Sequence, residues 1–520
     1  MDLFDTSIEG AVDIFDVNRS SPAMMIQVNC HIDNGAFDQS SMVVVDPMGH
    51  APTITFQRRL PPNYATGGLW RLFNCSVDNA EGRKPVFKVS RQYRDGNGLF
   101  NLATWRGVRT QDFLSWSQSN TPVSEGGSAG TWNITFPDPL PAGVSYVAHT
   151  PYGRQQEADA FAAWLLVDNA AIASPANVAY TGGNYGNSVV ENNDIGMPVG
   201  GLPRYAIKLS FPGPTTDGLR KRKIVSMYGI HAAGEGQAWW PFVEGIKWVI
   251  TSPDLAAQNL RANWDFYLYF NVNPNGIKAG QSRVTPRNNS DPNRNWSTLG
   301  NVSSLEEVDR LKRVIYSDVE GQCDAFYSWH GDVYSTSNFQ TWVWTSDYNS
   351  GTRGATMQAM ITAGTTIWGK SPVLSTSSTD NTDVWFGRAV LQAPIAFDCE
   401  SPSMASSGVA FYSDIGKKWY QALEVVDQAG GVLIPDGPVV LTGRNVRQVN
   451  RTTVGHMSDG TLPTWSHDDL VSSYTALLQL VNRLHQFNDG SARDSAKPGA
   501  FSVTEIEDAI SIAAQSLLKL

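Results

Sequence analysis

The chain changes its periodicity once, near residue 150, and that change limits the folds open to it more than any other feature. Before it, short β-branched and aromatic runs ("MMIQVNC", "SMVVVD", "PTITFQ", "KPVFKVS", "GTWNITF") are separated by clusters of Asn, Asp, Gly and Pro. Short runs broken by turn residues predict an all-β sandwich over residues 1–148. After "PLPAGVSYVAHTPYG" the helical stretch "RQQEADAFAAWLLVDNAA" begins, and strands then alternate with helices. "RKIVSMYGI", "WDFYLYFNV", "CDAFYSWH" and "PIAFDCE" read as buried strands. "WPFVEGIKWVI", "SSLEEVDRLKRVIYSDV", "GATMQAMITAGTTIW" and "SDIGKKWYQALEVVDQ" read as helices. Ser303 or Ser304, each three residues before a Glu, offers a capping box for the second of these. Such alternation predicts an α/β layer fold with a largely parallel or mixed sheet over residues 149–430. Residues 431–520 read as an extension with two helices, the last opened by Ser502 with Glu505, joined by the polar "NDGSARDSAKPGA".

Composition narrows the partners. With 41% hydrophobic and 17% charged residues the chain can bury an ordinary core, and a formal charge of −10 argues against nucleic acid or an anionic membrane as a partner. No apolar run approaches the ~20 residues of a membrane span. The start, "MDLFDTSIEGAVDIFD", lacks a basic leader and an apolar core, so no signal peptide is expected. Cys30, Cys75, Cys323 and Cys399 are scattered without metal-type spacing. They read as free buried thiols of a reducing, cytoplasmic compartment. Nothing in the sequence speaks to the oligomeric state.

The residues that could carry chemistry gather at strand ends. His231 and Glu235, in "GIHAAGEGQAWW", follow an apolar strand. Four-residue spacing lets two side chains converge from one helical face, and the glycines would allow it from a loop. A turn with a part-buried His and a surface Glu fits the same letters. "NVNPNGIKAGQSRVTPRNNSDPNRNW" is dense in turn residues, yet it sets Arg283, Arg287 and Arg294 near Asn293 and Asn295. A guanidinium beside an amide suits two-point capture of a carboxylate. "FYSWHGD" puts His330 at the end of a strand. "APIAFDCESPS" does the same for Glu400, whose apolar approach suits a general base held in a cleft.

The order of these elements resembles the zinc metallocarboxypeptidase family. His…Glu is followed by Asn-Pro-x-Gly, Arg, Asp-x-Asn-Arg-Asn-Trp, His and Glu, over roughly residues 1–430. "HTPYG", "NPNG", "DPNRNW" and "WHGD" look most like its cytosolic carboxypeptidase branch, which also carries a β-sandwich before the catalytic domain. The resemblance implies a zinc-dependent peptidase that removes C-terminal residues from a peptide or protein. It implies that His231, Glu235 and His330 hold one Zn²⁺, and that Asp291 fixes the tautomer of His231. Asn293 and Arg294 would clamp the substrate's terminal carboxylate, Arg283 would stabilise the oxyanion, and Glu400 would act as general base. Trp385, about fifteen residues before Glu400, would floor the pocket for the terminal side chain and favour an apolar one. Two departures stand out. The first two ligands are one residue further apart than the family's His-x-x-Glu, with Gly234 in the insertion. No Tyr occurs between Tyr348 and Glu400, where many relatives carry one. The same site could serve an amidase acting on N-acyl amino acids or cell-wall peptides. A metal-free protein that binds C-termini is a further reading of the altered spacing.

Overall fold

A computed structural model of the protein describes residues 25–30, 42–56, 74–90, 107–119, 124–126, 131–148, 151–177, 190–192, 197–199, 204–216, 220–231, 235–278, 291–294, 296, 306–332, 341–345, 351–369, 373–377, 382–402 and 409–430. Residues 1–297 and 303–432 form one compact unit, and residues 298–302 and 433–520 a second. The described residues all belong to the first. The expected extension over 431–520, its two helices, and the Ser303 and Ser304 caps lie outside them, as do Arg283 and Arg287.

Two five-stranded sheets precede residue 149. In the first, Gln27–Asn29, Asn74–Asp78, Ser145–Ala148, Val108–Thr110 and Ser117–Gln118 lie side by side, each antiparallel to its neighbours. In the second the order is Met42–Val45, Thr53–Phe56, Val86–Ser90, Thr131–Ile134 and Ser124–Gly126, antiparallel except for one parallel pair. Alternation along the strands turns Val28, Cys75, Val77 and Val147 of one sheet against Ile54, Phe56, Phe87 and Ile134 of the other, closing a single apolar core. A smaller cluster at one end, Val108, Phe113, Ala148 and Tyr152, carries the chain into the next part. There the Arg154 guanidinium lies 3.5 Å from the centre of the Phe113 ring.

The second part is built on an eight-stranded mixed sheet. Its strands are β1 (Ala173–Pro175), β2 (Tyr205–Ser210), β3 (Arg222–Tyr228), β4 (Trp264–Phe270), β5 (Ala325–Asp332), β6 (Thr341–Thr345), β7 (Val373–Ser377) and β8 (Ile395–Pro402). They lie in the order β1-β2-β4-β3-β5-β8-β6-β7, and the four central strands β4, β3, β5 and β8 are mutually parallel. These are the four apolar runs legible in the sequence, and the helices between them supply the crossovers that parallel strands require. The main helices are α1 (Gln155–Ala163), α2 (Trp239–Thr251), α3 (Leu255–Asn263), α4 (Glu306–Asp318), α5 (Gly351–Trp368) and α6 (Val409–Gln428). Helix α1 is shorter than its sequence suggests, because its last turn widens into a π-type turn over Trp164–Asp168.

Helix α2 shows how the letters make the element. Trp239, Phe242, Val243, Ile246 and Val249 fall at helical spacing and are all buried. It stops before Pro253, and the Arg261 guanidinium of α3 donates to the carbonyls of Val249 (2.6 Å) and Ser252 (2.9 Å), satisfying groups that the helix end leaves open. Phe161 of α1 meets Trp239 edge-on, so the sandwich, α1 and the start of α2 are joined through aromatic contacts.

Strands β5 and β8 divide their residues between two faces. Tyr327, Trp329 and Phe397 point one way, onto Trp419 of α6. The Trp329 indole donates to Ser226 Oγ at 2.8 Å, and that hydroxyl lies 3.1 Å from the Tyr420 hydroxyl, so these three polar groups pair with one another inside the layer. Ser328, His330, Asp398 and Glu400 therefore point the other way, because side chains alternate along a strand. The register pairs Ser328 with Asp398 and His330 with Glu400. One face is core; the other is chemistry.

Candidate active site

His231 is placed by the exit from β3. Gly229 adopts φ +99°, and Val272 N donates to Tyr228 O at 3.4 Å, which ties the end of β3 to the end of β4. A side chain at Gly229 would lie 3.3 Å from Val272 N, so the turn needs glycine for both conformation and approach. Asn273 of the Asn-Pro-x-Gly motif is buried behind it. Its Nδ2 donates to Ile230 O (3.2 Å) and its Oδ1 accepts from Gly276 N (3.0 Å). The motif thus opens the short helix Pro274–Lys278, with Pro as its first residue, and braces the loop that carries His231.

The ends of the lengthened His231–Glu235 spacing are held together, with Glu235 N donating to His231 O at 3.1 Å. The Glu235 carboxylate stands between two imidazoles: Oε1 is 2.9 Å from His231 Nδ1 and Oε2 is 2.7 Å from His330 Nδ1. Gly331 N also donates to Oε2, at 3.1 Å. The two imidazole rings are 5.0 Å apart, centre to centre, and steeply inclined. Both histidines are nearly inaccessible, and Glu235 is 12% exposed. Burial alone would push the Glu235 carboxyl up, but His231 and His330 beside it hold it well below the usual carboxylate range.

Each histidine turns its outer nitrogen to an aspartate. His231 Nε2 lies 2.8 Å from Asp291 Oδ1, and His330 Nε2 lies 2.9 Å from Asp383 Oδ2. Asp398 Oδ1 is a further 3.6 Å neighbour of His330 Nε2. Burial resists a charge on His330, but Asp398, Asp383 and Glu235 around it raise its pKa well above the ordinary histidine value. Burial likewise opposes ionisation of Asp383, yet His330 holds that carboxyl down at about 2. Burial and the Asp383 charge push the Asp398 carboxyl well up.

A metal ion taking the place of the protons between the imidazoles and Glu235 would leave both outer nitrogens donating to carboxylates and both Nδ1 lone pairs as ligands. Three donor atoms from His231, Glu235 and His330 gather within 4.8 Å of one another. This His₂Glu set, with the outer nitrogens held by carboxylates, fits zinc. Among the described residues His330, Asp383 and Asp398 make a second group of the same compactness.

Asn293 and Arg294 lie in the tight turn Pro292–Arg294, beside Asp291. Asn293 is buried; its backbone N donates to Asp291 Oδ1 (2.8 Å) and its Oδ1 accepts from Asp383 N (2.9 Å). Its NH₂ is then the end available to an anion. Arg294 is exposed, with Nη1 donating to Asn293 O at 2.9 Å. Glu400, half-buried, is the register partner of His330 on the neighbouring strand, two residues short of the strand end rather than at it. Trp385 is half-buried and ends the short helix Asp383–Trp385, which Thr382 caps by accepting from Trp385 N at 3.4 Å.

The structure thus brings together His231, Glu235, His330, Asp291 and Asn293 in one hydrogen-bonded group, with Glu400 beside it in register and Arg294 adjoining it. Sequence reasoning did not single out Asp383 and Asp398. Asp398 carried a signal, since it lies two residues before Glu400 in the same strand and so shares its face. Asp383 carried almost none: "NTDVW" reads as an ordinary helix start.

No family model matches the sequence, and no curated protein matches it. Solved structures do. A metallo-carboxypeptidase from Burkholderia cenocepacia superposes with a TM-score of 0.59 at 17% identity, over 78% of this chain and 100% of that one. A metallo-carboxypeptidase from Pseudomonas aeruginosa, solved in complex with (2-guanidinoethylmercapto)succinic acid, gives 0.57 at 15% identity, over 77% and 99%. A structure described as a putative carboxypeptidase A from Shewanella denitrificans gives 0.57 at 13% identity, over 77% and 99%. A 78% share is more than residues 149–520 could supply, so the likeness extends into the sandwich. The chain has the fold of these metallo-carboxypeptidases.

Proposed function

We propose that the chain is a zinc-dependent carboxypeptidase that hydrolyses the C-terminal peptide bond of a peptide or protein. The observation that carries the reading is the convergence of His231 Nδ1, Glu235 and His330 Nδ1, joined by hydrogen bonds to the Asn293 turn. Zinc bound there would supply a Lewis acid for the scissile carbonyl and acidify a water. Asn293 and Arg294 bind the substrate's terminal carboxylate, which restricts cleavage to chain ends. Arg283 meets the charge that develops on the carbonyl oxygen. Glu400, beside His330, takes the proton of the attacking water and passes it to the leaving amine. Trp385 lines the pocket for the terminal side chain and favours an apolar residue there. Residues 1–148 are the sandwich domain and residues 149–430 the catalytic domain. The acid ligand bound by the Pseudomonas neighbour supports a site built to hold carboxylates.

No helix among the described residues is long and apolar enough to cross a membrane. Four free, buried cysteines support a reducing compartment, and we assign the chain to the cytoplasm. The test combines elemental analysis of protein purified without chelator with mass-spectrometric detection of amino acids released from a peptide panel. We expect about one zinc per chain and release of apolar C-terminal residues. Glu400→Gln should keep the zinc and lose at least about 10²-fold in turnover, the lower end of the range for a general base. Release only from N-acyl amino acids would make the chain an amidase. Absence of zinc after reconstitution would leave a protein that binds C-termini without cutting them.

A further inference from the structure

The hydrogen bonds of the site close on themselves. Glu235 Oε1 meets His231 Nδ1, His231 Nε2 meets Asp291 Oδ1, and Asp291 Oδ1 accepts from Asn293 N. Asn293 Oδ1 accepts from Asp383 N, Asp383 Oδ2 meets His330 Nε2, and His330 Nδ1 returns to Glu235 Oε2. Every member has now been given a role except Asp383. This residue is wholly buried and acts twice, its carboxylate on a histidine and its backbone N–H on the amide of the carboxylate clamp.

We propose that Asp383 is a positioning residue that locks the tautomer and orientation of His330 for metal binding while its backbone amide fixes the carboxylate-binding face of Asn293. The inference rests on the reading of His231, Glu235 and His330 as metal ligands. Both Asp383 oxygens are committed: Oδ1 accepts from Val384 N at 2.8 Å, and Oδ2 receives His330 Nε2 together with the Ser328 hydroxyl. The carboxylate therefore cannot turn away from the imidazole without abandoning its own helix start. Ser328 sits two residues before His330 on the same face of β5, so the strand that carries the ligand also holds the residue that aims it. Gly387, in the turn after Asp383–Trp385, packs its bare backbone against the Phe326 ring of that face and seats the short helix close to the strand. An imidazole that donates from Nε2 must present an unprotonated Nδ1 to the metal, and a negative acceptor makes that nitrogen a stronger ligand. The amide N–H acts independently of the side chain. A side-chain substitution therefore separates the two duties.

Asp383→Asn makes the test. An asparagine replaces one of the two oxygen positions with an NH₂, so it can accept from Val384 N at one position or from His330 Nε2 at the other but not both. Zinc affinity by chelator competition should fall about 10- to 100-fold, and the visible spectrum of the cobalt-substituted protein should change. The melting curve of the metal-free variant should remain cooperative. In the zinc-saturated variant kcat should fall while KM for a peptide with a free C-terminus stays within about twofold, because the amide N–H to Asn293 is kept. If wild type binds one zinc and Asp383→Asn binds it equally tightly with an unchanged cobalt spectrum, the positioning role is overturned and the metal site stands. If wild type binds none, the metal reading itself falls. Two zinc ions in wild type and one in the variant would also overturn the proposal, since Asp383 and Asp398 would then be ligands in their own right. Should the variant fail to fold, ¹⁵N-histidine-labelled wild type decides. A slowly exchanging Nε2–H on His330 in the zinc-bound protein supports the assignment, and a proton at Nδ1 overturns it.

Discussion

The two histidines of the site make the same pair of contacts in opposite surroundings. His231 leaves β3 through a glycine turn and rests against Asp291, whose side chain is 19% exposed and sits among turn residues. His330 lies within β5 and rests against Asp383, which is fully enclosed. One half-site is assembled from loops braced by Asn273; the other is built on a strand and locked by a helix start. The contrast suggests a division of labour. On the proposed reading, the drier half would fix the geometry of one ligand and the wetter half would receive the substrate's end. Glu235 belongs to both, which is why its carboxylate touches each imidazole.

Removing the shared member is the most severe way to break the comparison. Glu235→Ala should drop zinc from about one per chain to almost none by elemental analysis, because both imidazoles lose their common partner. Separating the halves comes next. Asp291→Asn should weaken zinc by about 10-fold or less, less than Asp383→Asn does, because solvent can partly replace the lost acceptor. It should also raise KM for peptides, since Asn293 N relies on Asp291 Oδ1. Equal losses of affinity in the two variants, or a KM change in the Asp383 variant alone, would mean that depth does not distinguish the halves.

The smallest effect concerns an aspartate outside the ring. Asp318 ends α4, where Tyr269 OH donates to it at 2.9 Å and Asn177 at 3.4 Å. Burial outweighs those hydrogen bonds and pushes its carboxyl up to about 6, the reverse of Asp383. A folded value above the unfolded one means that the native state favours the protonated form. The contribution is complete below the unfolded pKa near 4 and is lost as pH rises through about 6. Asp318→Asn should therefore stabilise the protein at pH 8 and have little effect at pH 4, in urea melts at both values. The gain should be about 1 kcal/mol after solvent screening. A larger gain at pH 4 would reverse the assignment.

Much of this architecture was legible because the sequence repeats its message at several levels. The four parallel central strands are continuous apolar runs with turn residues after them, and both histidines and Glu400 lie on or directly after three of them. The strands Tyr205–Ser210, Thr341–Thr345 and Val373–Ser377 were not picked out, being short and flanked by polar stretches. Helix α3 also escaped, because it buries only Ala257, Leu260 and Asn263 and so carries a thin apolar stripe. Within the site, His231, Glu235, Asn293 and His330 could be singled out from their residue types and settings, and Asp291 only through the family resemblance that the order of the motifs carries. Asp383 could not. Its role depends on a register between distant segments, and a single acidic residue before "VWF" contains no trace of that pairing.

That dependence on distant register has a consequence for how the molecule comes into being. The ring takes its members from positions 231 to 383, and the strands beneath them pair in parallel, so local segments supply only the His231–Glu235 and Asp291–Asn293 links and cannot close it alone. Contacts of such long sequence separation incur their loop-closure cost before they bring any return, and they form late. Metal capture during refolding should therefore track the slowest phase, and zinc appearing before it would show that the two halves meet earlier than the sheet. A nascent chain would lack the third of the proposed ligands until His330 was available and the aspartate that orients it until residues past 383 were, so the proposed metal site would be completed in two stages.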